Sequence, residues 1–259
     1  MDLNPAFDDS MAFIRREYRL ILPVAVGTMG LAVLLLGLVI PPISADGQLP
    51  PGLWLWWLIP VGFMTGIGTL ALSALRLFPG LSVGEALRCG LRHIIPLLLV
   101  LFATLILLIF ALSALGVALM LTLGSGPEAA VIEAMVFGMP LTIYLGARLS
   151  LASSALVARH PQESSIKAIK RGIAMTKGHS WRIALIMMAG FFVYLFMLFT
   201  LTAVFGSMFM LLGKLIGDPA FGETLTRLLI TFYVSVFFAS FTILLASIYQ
   251  RLSTRNNGI

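Results

Sequence analysis

Three stretches of this chain, residues 94–127, 183–213 and 228–250, contain no Asp, Glu, Lys or Arg over 34, 31 and 23 residues. A bilayer hydrocarbon core of roughly 30 Å is crossed by about 20 apolar residues in a helix, so each run is long enough to span it. Every backbone amide in lipid must find its bond within its own segment, which makes the helix the spanning element. Mean hydropathy of +1.03 and 11% charged residues exclude a soluble globular domain, for which about 25% charged is usual.

Six spans are expected, at about 20–40, 54–75, 95–121, 132–157, 183–210 and 226–249. The first, 21 residues long, exceeds the roughly 7–15 of a signal-peptide core. It reads as a retained span, although Ile43-Ser44-Ala45 has the look of a weak cleavage site. Residues 41–53, 122–130 and 211–224 are short and rich in Gly and Pro, so they read as hairpin turns between antiparallel neighbours. At 259 residues the length fits one polytopic membrane domain with no separate soluble domain.

Charge sets the orientation. Fifteen of the 17 basic residues, from Arg15 to Arg255, fall on one side of this threading. Lys214 and Arg227 fall on the other, with Asp46, Glu128, Glu133, Asp218 and Glu223. The positive-inside rule then places both termini in the cytoplasm of a bacterial inner membrane. The net charge of +6 borders apolar spans, so anionic headgroups, and not nucleic acid, are the expected partner. A lone Cys89 excludes an internal disulfide and a multi-cysteine metal site.

The basic segments carry helical patterns. In residues 81–93, Val83, Ala86, Leu87, Gly90 and Leu91 share one face, with Glu85, Arg88 and Arg92 opposite; Ser82 and Glu85 form an S-x-x-E capping box. In residues 164–177, Lys167, Lys170, Arg171 and Lys177 oppose Ile166, Ile169 and Ile173. Near the start, Phe7, Met11, Ile14 and Tyr18 recur on one face, with Arg15 and Arg19 on another and Pro5 suited to a first helical turn. Each pattern precedes a hairpin of two spans. Arg15, Arg19 and Pro23 align with Arg88, Arg92 and Pro96 at a constant offset of 73, and residues 168–172 align more loosely with 86–90. The expected fold is all-α: three repeats (about 5–78, 79–158 and 161–251) of a cytoplasmic amphipathic elbow helix plus a transmembrane hairpin. The elbows would lie in the membrane plane, apolar faces sunk into the inner leaflet and basic faces on headgroups.

The stretch GARLSLASSALVARHPQESSIKAIKRGIAMTKGHSWRIALI, residues 146–186, resembles a broad set of bacterial six-span inner-membrane proteins. These include the membrane domain that precedes the catalytic domain in some glycerophosphodiester phosphodiesterases. The shared features are an Arg and small residues late in span four, a basic elbow, then Thr-Lys-Gly and a Trp-Arg opening span five. The acidic and histidine metal ligands of the soluble phosphodiesterase domain are not present in this sequence. The resemblance therefore implies a membrane module, not a hydrolase.

No GxxxxGK[ST], HExxH or GxSxG occurs. His93, His160 and His179 lie at the basic boundary without ligand spacing, so no metal or other cofactor is expected. Arg148 is the one charge inside an apparent span, which makes it a candidate ligand-binding residue. Tyr144, Ser150, Ser153 and Ser154 are close enough in sequence to satisfy it. The competing reading is a snorkelling side chain, since Arg148 lies about 25 Å along its helix from Val131. Glu133 and Arg227 could pair as a latch, Gly62 and Gly66 form a GxxxG, and Trp54, Trp56 and Trp57 read as an interfacial anchor. The function these features favour is a non-enzymatic inner-membrane protein that binds lipid or organises the membrane. The expected headgroup contacts are Arg15, Arg19, Arg88, Arg92, Lys167, Lys170, Arg171 and Lys177. The alternative is a transporter or channel for a small solute or lipid, routed past Arg148.

Overall fold

The structure is a computed structural model and describes residues 4–41, 52–124, 126–159 and 163–257. Asp46, His160 and most of the first hairpin loop lie outside the described residues, among which all regular structure is helical. Six stretches are long and apolar enough to cross a membrane: Pro5–Val39, Leu53–Leu77, Val83–Thr122, Ile132–Val157, Ser180–Ile216 and Pro219–Thr254. They contain the six expected spans almost entirely, and several run on into their polar flanks.

The first stretch comprises α1 (Asn4–Val24), a π-helical turn (Ala25–Gly30) and α2 (Leu31–Val39). Helix α1 is kinked at Glu17, whose φ of −111° and ψ of 18° leave the helical region. Pro23 further removes one backbone donor from this helix. A 3₁₀ turn (Leu53–Trp57) opens α3 (Leu58–Leu77), and α4 runs unbroken over Val83–Leu123. Helix α5 (Pro127–Leu149) turns into the short α6 (Ala152–Val157), followed by α7 (Ser165–Met175) and α8 (Ser180–Leu201). A second π-helical turn (Thr202–Gly206) joins α8 to α9 (Ser207–Ile216), and α10 (Pro219–Asn257) is the last span.

The helix ends follow local chemistry. Ser82 Oγ accepts the Glu85 amide at 3.3 Å, and the Glu85 carboxylate accepts the Ser82 amide at 2.9 Å, so the expected capping box starts α4. Gly124 (φ 65°) and Gly217 (φ 81°) stop α4 and α9 in the left-handed conformation that other residues enter at a cost. Both sit in expected hairpin loops.

Helix α2 packs on α3, α4 on α5, and α9 on α10, as three short hairpins require. Between hairpins, α3 meets α4, α5 meets α8, and α10 runs through the centre against α1, the first π turn, α3 and α6. Glycines set two close approaches. A Cβ on Gly66 would fall on the Ile94 side chain, and one on Gly90 would come within 2.8 Å of the Ile67 carbonyl oxygen. Gly62 has nothing within 4 Å of its Cβ position, so only half of the GxxxG serves packing. Leu70, Leu72, Leu151, Leu156, Ile243 and Ile248 fill the core, which lies toward the basic end. Toward the opposite end α4 and α8 expose large apolar side chains such as Phe110, Leu121 and Phe199. In water such a surface drives association; in a bilayer it is ordinary lipid contact.

The three amphipathic segments differ from one another. The second is no separate helix, since α4 continues from its Ser82 cap to Leu123 without interruption. The third is separate, and part of its apolar face is covered by protein, although Ile166 stays exposed. Ala168, Ile169 and Gly172 are buried on α6, where a Cβ on Gly172 would come within 2.9 Å of Ala155 Cβ. The first carries two apolar stripes. Ala6, Ser10, Phe13 and Ile21 are buried against the bundle, while Phe7, Met11 and Tyr18 remain exposed beside Arg15 and Arg19.

Candidate functional site

Arg148 stands in the last turn of α5, where α7 ends. The last carbonyls of a helix have no intrahelical donor and carry partial negative charge, so a cation there is favourable. Arg148 Nη1 donates to the Ile173 carbonyl at 3.3 Å and to Thr176 Oγ1 at 3.4 Å. Thr176, fully buried, donates to the same Ile173 carbonyl at 2.7 Å, and Ser180 Oγ donates to the Thr176 carbonyl at 2.8 Å. The guanidinium lies 5.5 Å from the centroid of the Tyr144 ring, within cation–π range. The structure thus brings Tyr144 to Arg148 but not the serines. Ser150 donates to the Ala147 carbonyl of its own helix at 2.8 Å. Ser153 and Ser154 are buried in α6, and Ser154 Oγ has no partner among the described residues. Arg148 fastens the end of α5 to the end of α7.

Of the eight expected headgroup contacts, Arg15, Arg19, Arg88, Arg92, Lys167, Lys170 and Lys177 are exposed. Arg171 is placed differently and is only partly exposed. It turns toward the protein, pairing with Glu163 at 3.1 Å and donating to the Ala158 carbonyl at 3.5 Å. The expected latch between Glu133 and Arg227 is also corrected, because Arg227 pairs at 2.5 Å with Glu223, one turn earlier on its own helix. An i,i+4 partner needs no tertiary alignment and is always within reach.

A second cluster joins α1, α3 and α10 at the basic end. Arg251 donates twice to Asp9 Oδ2, at 3.0 and 2.6 Å. Arg76 Nε donates to Ser247 Oγ at 2.8 Å, and its guanidinium lies 5.2 Å from the Phe13 ring centroid. Ala6 is buried with Tyr249 and Leu252 of α10. Sequence reasoning missed these contacts, which join residues as far as 242 positions apart. The available signal was Arg76 itself, closing an otherwise uncharged span.

The hydroxyls of Thr28, Thr65, Thr69, Ser73, Ser235, Thr242 and Ser247 donate to the carbonyl four residues earlier on their own helices. Among the described residues no three His, Cys, Asp or Glu side chains gather where a metal could be held. His93 Nδ1 lies 2.9 Å from the Cys89 carbonyl of its own helix. No protein-family model matches this chain, and neither the curated proteins nor the solved structures compared with it contain a match.

Proposed function

We propose that this is a non-enzymatic protein of the cytoplasmic membrane that binds anionic lipid and organises the inner leaflet, with both termini and all three basic segments in the cytoplasm. The observation that carries the reading is the exposed side of α1. Phe7, Met11 and Tyr18 stand clear of the bundle beside Arg15 and Arg19, the first two before the Glu17 kink and Tyr18 just after it. Apolar side chains of this size are poorly placed in water, and arginines are poorly placed in hydrocarbon. The headgroup–acyl boundary accommodates both. The kink lets the segment before Glu17 leave the line of the span and lie in that boundary as an elbow. Arg88, Arg92, Lys167, Lys170 and Lys177 add exposed charge on the same side, so the three repeat units act as one basic collar around the bundle. Arg148, on which a transport route would rest, directs its contacts to Ile173, Thr176 and Tyr144.

The test is lipid enrichment. In nanodiscs of mixed phosphatidylglycerol and phosphatidylcholine, the wild-type chain is expected to enrich the anionic lipid around itself. Changing Lys167, Lys170 and Lys177 to Gln should remove much of that enrichment, and enrichment indifferent to these charges would sink the reading.

Topology has its own expected result. A membrane-impermeant thiol reagent applied outside intact cells should leave Cys89 unlabelled, while cysteines introduced at Asp46 and Asp218 should react. Permeabilised, denatured cells supply the control, because Cys89 is partly covered and its sulfur lies 3.7 Å from His93 Nδ1. Labelling of Cys89 from outside would reverse the orientation.

A further inference from the structure

Arg76 is a half-buried cation that feels the charge of Asp9 but has no carboxylate within ion-pair distance among the described residues. Its Nε is committed to Ser247 and one face of its guanidinium to Phe13, but neither Nη group has a bond among the described residues. The acids nearby are already engaged: Asp9 accepts both bonds from Arg251, and Glu17 accepts Arg16 Nε at 3.0 Å. Asp9, Arg16 and Arg251 are all within electrostatic reach of Arg76. Three guanidinium groups therefore meet two carboxylates where α1, α3 and α10 converge, and one positive charge is left over with two donors to spare.

Leu75, the residue before Arg76, lines a hollow in the surface. A cavity of about 30 Å³ lies at the α1 kink, walled by apolar Phe13, Ile21, Leu75 and Leu81 and edged by Arg16 and Glu17. Phe13 belongs to both features, since its ring carries the Arg76 guanidinium and lines the cavity. A soluble anion would use the charge and leave the apolar wall wet. A phospholipid uses both: its phosphate presents two equivalent oxygens to a guanidinium fork, and its glycerol and upper chain cover the wall. Arg76 stands in the last turn of α3, where its apolar run ends.

We propose that Arg76 and Arg16 hold the phosphate of one inner-leaflet phospholipid, seated against Phe13, Leu75 and Leu81 at the kink of α1. This rests on the lipid-binding reading above but concerns one retained molecule, not the general attraction of the basic collar.

The experiment uses the full chain in a non-ionic detergent, with native mass spectrometry and thermal unfolding as readouts. Four additions are compared: phosphatidylglycerol, phosphatidylethanolamine, a diacyl glycolipid without phosphate, and inorganic phosphate. Both phospholipids are expected to be retained at one molecule per chain and to raise the unfolding temperature, whereas the glycolipid and inorganic phosphate do neither. Arg76→Gln should lower retention about tenfold, the loss of one charge-assisted contact. Arg16→Gln, at a side chain 70% exposed and so without consequence for folding, should lower it severalfold. Retention unchanged in Arg16→Gln, or equal for the glycolipid, would overturn the site. Stabilisation by inorganic phosphate equal to that by phospholipid would overturn the lipid assignment. Changing Lys167, Lys170 and Lys177 to Gln should leave this single lipid in place, so the site and the collar fail separately.

Discussion

Gly90→Ala is expected to destabilise the bundle by about 2 kcal/mol, and Gly90→Leu by about 3 kcal/mol or more. The new Cβ would meet the Ile67 carbonyl oxygen at 2.8 Å, and the Ala71 amide nitrogen lies 3.5 Å away. These are backbone atoms of α3, so no side chain can swing aside, and α3 and α4 must part. Gly62→Ala is the matched control, with nothing within 4 Å of its new Cβ. It should be neutral or gain a few tenths of a kcal/mol through helix propensity. Unfolding in a detergent titration reads both, and equal destabilisation by the two changes would contradict the packing of α3 on α4.

The second large effect is expected at Arg148. Arg148→Ala removes the donor to the Ile173 carbonyl and Thr176, at a cost of about 2 kcal/mol for hydrogen bonds to a charged group. Arg148→Lys should recover part of this, since an ammonium can reach one acceptor but lacks the planar fork. Amide exchange should rise first at the end of α7, before any change in α3 or α10. Flux of small solutes into proteoliposomes should be the same for wild type and Arg148→Ala. A flux that vanishes while stability holds would return Arg148 to a transport role.

The six spans and three hairpins were legible because they depend on local quantities: run length, Gly and Pro in the loops, and left-handed stops such as Gly124 and Gly217. The Ser82–Glu85 box was legible for the same reason, since both partners lie within one turn. The destinations of the amphipathic faces were not. Ile169 and Ile166 look alike in sequence, yet one is buried on α6 and the other stands exposed, because lipid and a neighbouring helix are equally apolar. Arg148 showed the same limit. Its need for partners was plain, and Tyr144, one turn away, lies beside it through its ring face. The Ile173 carbonyl was not legible, because a backbone acceptor 25 residues on leaves no mark in the sequence. The pairing of Arg171 with Glu163 was likewise not legible, since nothing in the sequence ties a charge on α7 to one eight residues earlier.

The ion pair between Asp9 and Arg251 has a consequence for the order in which the molecule is made. A ribosome delivers the chain from its N-terminal side, so α1 enters the membrane long before α10 exists. Until then Ala6 lacks Tyr249 and Leu252, Asp9 lacks Arg251, and Arg76 lacks Ser247. The early hairpins can close as they emerge, but the seam that binds the first helix to the bundle is complete only after the last one arrives. A nascent chain halted before residue 219 would hold α1 only through its contacts with α3 and α4. The seam between the two ends of the chain is thus the last part of the fold to form.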